Sequence, residues 1–114
     1  MQHLLFIVLN KTEYLEDILT ELGNHNIIGA TILDSEGMVR SLYAHDELRF
    51  MGSLRRLIDP EHEKSKTIFI VLKEEKIPVV SDIVNSITGG LENPDTGVMF
   101  AVPISYAEGF GKKK

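Results

Sequence analysis

Four short apolar runs dominate the hydropathy pattern, each bounded by polar or glycine residues: 3–9 (HLLFIVL), 27–33 (IIGATIL), 67–72 (TIFIVL) and 97–102 (GVMFAV). Their length and their content of Val, Ile and Phe predict strands. Between the first two, Leu15, Ile18, Leu19 and Leu22 recur at helical spacing, Asn10 and Glu13 read as a capping box, and Gly23 suits the left-handed position after a helix. A second amphipathic helix is predicted over 78–88, with Pro78 in its first turn, an apolar stripe of Val79, Val80, Ile83, Val84 and Ile87, and Gly89 and Gly90 as stop signals. The long connection between the second and third strands carries Leu48, Met51, Leu54 or Arg55, and Ile58 at spacings that predict a short helix before Pro60.

Strand, helix, strand, strand, helix, strand is the order of a ferredoxin-like βαββαβ sandwich. The expected architecture is therefore α+β, with an antiparallel four-stranded sheet and both helices on one face. Residues 1–105 form one domain with 41–66 as a long insertion, and 106–114 are expected to be a flexible C-terminal tail.

Alternation along the strands sharpens this picture. Leu4, Phe6 and Val8 oppose Leu5, Ile7 and Leu9; Phe69 and Val71 oppose Ile68, Ile70 and Leu72; Val98, Phe100 and Val102 oppose Met99 and Ala101. Both faces of the sheet are apolar, while the helices cover one. Each large side chain left in water forgoes roughly 1.5–3 kcal/mol of burial. Half a dozen forgo about 10 kcal/mol, comparable with the stability of a whole domain. The second face is expected to be covered, either by other copies of the chain or by the 41–66 segment folded across it.

Composition narrows the classes of function. A chain of 114 residues with 43% hydrophobic content suits a single domain with an ordinary core. Cysteine is absent, which removes disulfides, thiolate metal sites and a cysteine nucleophile. Leu4–Leu9 is far shorter than the roughly 20 residues of a membrane span and lacks the flanks of a signal peptide. A cytoplasmic protein, not integral to a membrane, is expected. The net charge of −5, with one dense basic run at Lys112–Lys114, argues against nucleic acid as a partner.

Candidate chemistry is sparse. His3, His25, His45 and His62 form no pair at ligand spacing, and HDE at 45–47 is the one local cluster, so no metal set is assigned within one chain. No nucleophile–base set, Walker sequence or dinucleotide fingerprint is present, and no catalytic residue is assigned. The chain is expected not to be an enzyme. The stretch RFMGSLRRLID, with Arg49, Arg55 and Arg56, reads either as a partner-facing surface or as an amphipathic cover over the core. The stretch TGGLENPDTGVMFAVPI, 88–104, reads either as a plain turn from helix to strand or as a loop whose glycine amides cradle an anion.

Two stretches resemble the PII signalling family. IIGATILDSEGMVR, 27–40, is similar to the family's second strand and the base of its T-loop, with Gly29, Thr31, Gly37 and Arg40 at matching intervals. IVNSITGG followed by GVMFAV is similar to the second helix, B-loop and last strand, with Thr88 and Gly89 at the family's Thr-Gly step. The resemblance implies a homotrimer with a small effector, an adenine nucleotide in the family, held in the cleft between subunits. It makes Thr31, Gly37, Arg40, Thr88, Gly89 and Gly90 the candidate ligand residues. It also implies a protein partner, such as a transporter or enzyme, contacted through the 41–66 loop. The chain departs from the family where the B-loop lysine is Gly90, the lysine opening the last strand is Val98, a T-loop glycine is Val39 and the following glutamine is Ser41. The arginine-bearing segment after the last strand is replaced by SYAEGFGKKK. A CutA-like trimer associated with divalent cations and a ligand-free oligomerisation module share the same architecture and stand as alternatives.

Overall fold

The computed structural model of the chain describes residues 2–38 and 64–110. The expected helix before Pro60 and the candidates Arg40, Arg49, Arg55 and Arg56 lie outside the described residues. Within them the elements run β1 (Gln2–Leu9), α1 (Leu15–Asn24), β2 (Ala30–Glu36), β3 (Lys64–Lys73), α2 (Ile77–Thr88) and β4 (Gly97–Pro103), with a single 3-10 turn leading into each helix. The sheet has the order β2-β3-β1-β4, and each neighbouring pair is antiparallel. This is the ferredoxin-like sandwich that the sequence pattern predicts.

Period-two alternation in the two central strands places Leu5, Ile7 and Leu9 beside Ile68, Ile70 and Leu72 on the face beneath the helices. The helices return Ile18 and Leu22 from α1 and Val80, Ile83 and Val84 from α2 to the same layer, all buried. The α2 stripe follows the predicted positions, Pro78 sits in the first turn, and Gly89 caps the helix in the left-handed region at φ 89°.

Three local expectations are corrected. First, Gly23 lies within α1, and the left-handed residue after the helix is Asn26 at φ 63°. The amide of Ile27 turns back to Leu22 O at 2.8 Å, and the Ile27 side chain is buried against the core. Ile27 thus closes the helix and does not open a strand, so β2 starts at Ala30, three residues later than its apolar run begins. Second, β2 runs on through the polar Asp34, Ser35 and Glu36 because each has a partner across the ladder, in Lys66, Ser65 and Lys64. Third, the Asn10–Glu13 capping box does not form. The Asn10 amide donates to Thr96 O at 2.9 Å, a 3-10 turn occupies Thr12–Tyr14, and no side chain caps α1.

Among the described residues, the other face of the sheet carries no helix. Leu4, Phe6, Val8, Phe69 and Val71 are half-buried there, while Val98, Phe100 and Val102 on edge strand β4 remain 55%, 50% and 42% exposed. One cross-strand row reads Thr31, Phe69, Phe6, Phe100. Within it the Phe6 ring stacks on Phe100 at 5.1 Å and 25° and tilts against Phe69 at 6.2 Å and 55°.

Gly97 fixes where β4 begins. Its φ is 153°, and a Cβ there would stand 2.5 Å from Val8 O, a backbone atom of the central strand that has no room to retreat. Gly97→Ala is expected to cost roughly 1–3 kcal/mol through strain and overpacking. A urea unfolding midpoint unchanged from that of the native chain would contradict this close approach.

Candidate functional site

The segment 85–97 joins α2 to β4 and is organised by its own polar groups. The Gly89 amide donates to Asn85 O at 3.0 Å, continuing the helical pattern by one step. Thr88 is 5% exposed; its hydroxyl donates to Val84 O at 2.8 Å and accepts the Gly90 amide at 3.3 Å. Asn85 reaches forward with Oδ1 to accept the Leu91 amide at 2.7 Å and back with Nδ2 to donate to Ser81 O at 2.9 Å. Asn93 donates from Nδ2 to Gly89 O at 3.0 Å and from its amide to Gly90 O at 3.1 Å. At the base, Thr96 is fully buried and its carbonyl accepts the amides of both Asn10 and Lys11, at 2.9 and 3.3 Å. The turn is thereby tied to the end of β1.

The β2–β3 ladder supplies a second polar group of residues at the same end of the sheet, where Leu9 pairs with Lys66 on one side and Gly97 on the other. Ser35 Oγ lies 2.7 Å from Ser65 Oγ and 2.8 Å from Thr67 Oγ1, a line of three joined hydroxyls on the helix-free face. The Lys66 ammonium donates to the Asp34 carboxylate directly across the ladder. Asp34, Ser35, Ser65 and Lys66, together with Thr12, Glu36 and Lys64, border an open cleft of about 530 Å³. Its lining balances two carboxylates against two ammonium groups.

The predicted ligand residues fall into two sets that one chain does not bring together. Thr31 is exposed on β2 and Gly37 is exposed just beyond it, at one edge of the sheet. Thr88, Gly89 and Gly90 end α2 and lead to β4, the opposite edge. Two strands separate those edges, a span of about 14 Å at the usual strand spacing. Thr88 is engaged within its own turn, and Gly90 has no side chain to offer in place of a cation. Among the described residues, no group of three or more His, Cys, Asp or Glu is placed to hold a metal ion.

Sequence reasoning passed over Asn85, Asn93 and Thr96, which do most to hold the turn, and the Ser35–Ser65–Thr67 line. Period-two alternation, had it been carried on through DSE and SKT, would have put those last residues on one face. Only the strand register shows that they meet.

No family model matches the chain, and no curated protein matches it. Among solved structures, the chain is similar to the crystal structure of Arabidopsis thaliana PII bound to citrate. The two are 15% identical with a TM-score of 0.59, over 91% of this chain and 75% of that one. At that level of identity the likeness is one of fold: the chain has the PII-like ferredoxin architecture. No helix among the described residues is long and apolar enough to cross a membrane.

Lys66 holds the Asp34 carboxyl below its ordinary value, first by the hydrogen bond and then by its charge, with Lys64 adding to the effect. A depressed folded value means that the pair stabilises the fold above the unfolded aspartate range and is lost as pH falls through the folded value. The Asp34 side chain is 88% exposed, so solvent screens the pair. Lys66→Met is expected to return the Asp34 carboxyl titration, followed by NMR, towards its ordinary midpoint. An unmoved midpoint would contradict the pairing.

Proposed function

We propose that this chain is a regulatory protein of the PII kind, without enzymatic activity, acting in the cytoplasm. Copies associate through the helix-free sheet face as a homotrimer. A small effector sits in the cleft between subunits, contacted by Thr31, Gly37 and Arg40 of one copy and the Thr88–Gly90 turn of the next. The 41–66 segment, whose last three residues open β3, carries the response through Arg49, Arg55 and Arg56 to a protein partner such as a transporter or enzyme. Adenine nucleotides, the effectors implied by the resemblance, are the first ligands to try, and citrate, held by the Arabidopsis protein of the same fold, belongs beside them.

The observation that carries this reading is the placement of the two candidate sets on opposite edges of one sheet. A site made from both needs a second chain beside the first. The half-exposed Val98, Phe100 and Val102, next to the Phe6 and Phe69 rings, provide an apolar surface on which the copies can meet.

Sedimentation at micromolar concentration tests the assembly, with a mass three times that of the chain expected. In an isolated chain Phe100→Glu removes a half-exposed ring stacked on Phe6 and leaves the core beneath the helices untouched, whereas in the assembly it also buries a charge without a partner. The variant is expected to remain folded and to sediment as a single chain. A folded, non-associating native chain would overturn the reading. Calorimetric titration with ATP, ADP, AMP, cyclic dinucleotides and citrate then tests the effector, and silence from all of them would remove it.

A further inference from the structure

One of the two readings of the glycine-rich turn after α2 makes it an anion cradle, and the turn's hydrogen bonds do not support that reading. An anion-binding concavity needs neighbouring main-chain N–H groups that point outward without partners. Here the run is already spent. Gly89 donates to Asn85 O at 3.0 Å, Gly90 to Thr88 Oγ1 at 3.3 Å, Leu91 to Asn85 Oδ1 at 2.7 Å and Asn93 to Gly90 O at 3.1 Å. Of the amides outside these bonds, those of Glu92 and Asp95 belong to residues with exposed carboxylates of their own, and Thr96 is buried. Lys11, the basic residue whose hydrogen bond ties it to the turn, enters through its main-chain amide. A phosphate seated here would displace bonds already made, meet two like charges and gain no cation from the Gly90 position.

We infer that the Thr88–Gly97 turn receives no phosphate, and that whatever part of the effector rests on it is uncharged. The turn acts as a shaped, self-closed wall. A nucleotide in the cleft would touch it through base or ribose, with any phosphate recognition left to other residues. This inference rests on the intersubunit effector site proposed above and narrows the chemistry of one side of it.

Amide hydrogen exchange on the full-length chain, read by NMR, tests it without depending on any effector. The Gly89, Gly90, Leu91 and Asn93 amides are expected to be protected in the ligand-free protein and unmoved by millimolar inorganic pyrophosphate. Asn85→Ala is expected to speed exchange at Leu91 on the order of five- to tenfold, the equivalent of one net hydrogen bond. Thr88→Val should do the same at Gly90, while Thr88→Ser, which keeps the acceptor, should not; the serine variant separates the hydroxyl from general loss of the fold. Unprotected Gly90 and Leu91 amides, or their saturable shift with pyrophosphate, would overturn the inference. Parallel titrations with ATP and adenosine separate it from the reading beneath it. ATP moving these amides where adenosine does not would overturn the inference and leave the effector site standing. Protected, pyrophosphate-silent amides in a protein that binds neither compound would uphold the inference and remove the nucleotide.

Discussion

Among the described residues, two short helices cover one side of a four-stranded sheet whose strands are apolar on both sides, and most of the described structure follows from that mismatch. Under the helices, Leu5, Ile7 and Leu9 of β1 and Ile68 and Ile70 of β3 are at most 1% exposed. This layer fixes the register of the central pair, because a slip by one residue would carry Leu5, Ile7 and Leu9 to the other face. With the register set, the side chains facing the other way are set as well. Phe6, Phe69 and Phe100 line up across three strands because their neighbours are committed to the core. The exposed apolar face is thus a geometric by-product of the buried one, and the chain keeps it large and aromatic.

Much of this was legible in the chain because both periods are strong. The α2 helix could be read closely: Pro78, the Val79–Ile87 stripe and Gly89 all point the same way. The start of β2 was misread because Ile27 and Ile28 look like strand residues but have different uses. Ile27 seals the end of α1 over the core, while Ile28 is 83% exposed. The capping box at Asn10 failed for a similar reason. A local signal for the Asn10 amide lost to Thr96, which lies 86 positions away in sequence and is brought there by β4 pairing with β1.

The candidate site was legible as residue types and not as chemistry. Gly89 and Gly90 are spelled as a flexible anion loop would be, and the φ values of 89° and 123° show that glycine is needed there. What spelling does not reveal is who satisfies the amides. That depends on Asn85 lying one helical turn before Gly89, with its side-chain oxygen facing the loop, and on Thr88 sharing one hydroxyl between the helix and the turn. The separation of Thr31 from Thr88 was likewise invisible until the strand order put β2 and β4 at opposite borders.

Strand β1 is paired along both sides, whereas β2 and β4 each have one border without a ladder partner among the described residues. Cooperative opening in such a sheet begins at the borders and reaches the middle strand last. The described candidate residues lie on border strand β2, just beyond it, or at the end of α2 where the chain turns into border strand β4. Occupancy of a cleft built there would therefore govern fraying of the periphery while the interior keeps its shape, so a binding event could be reported as a change in local order with no movement of the layer buried beneath the helices.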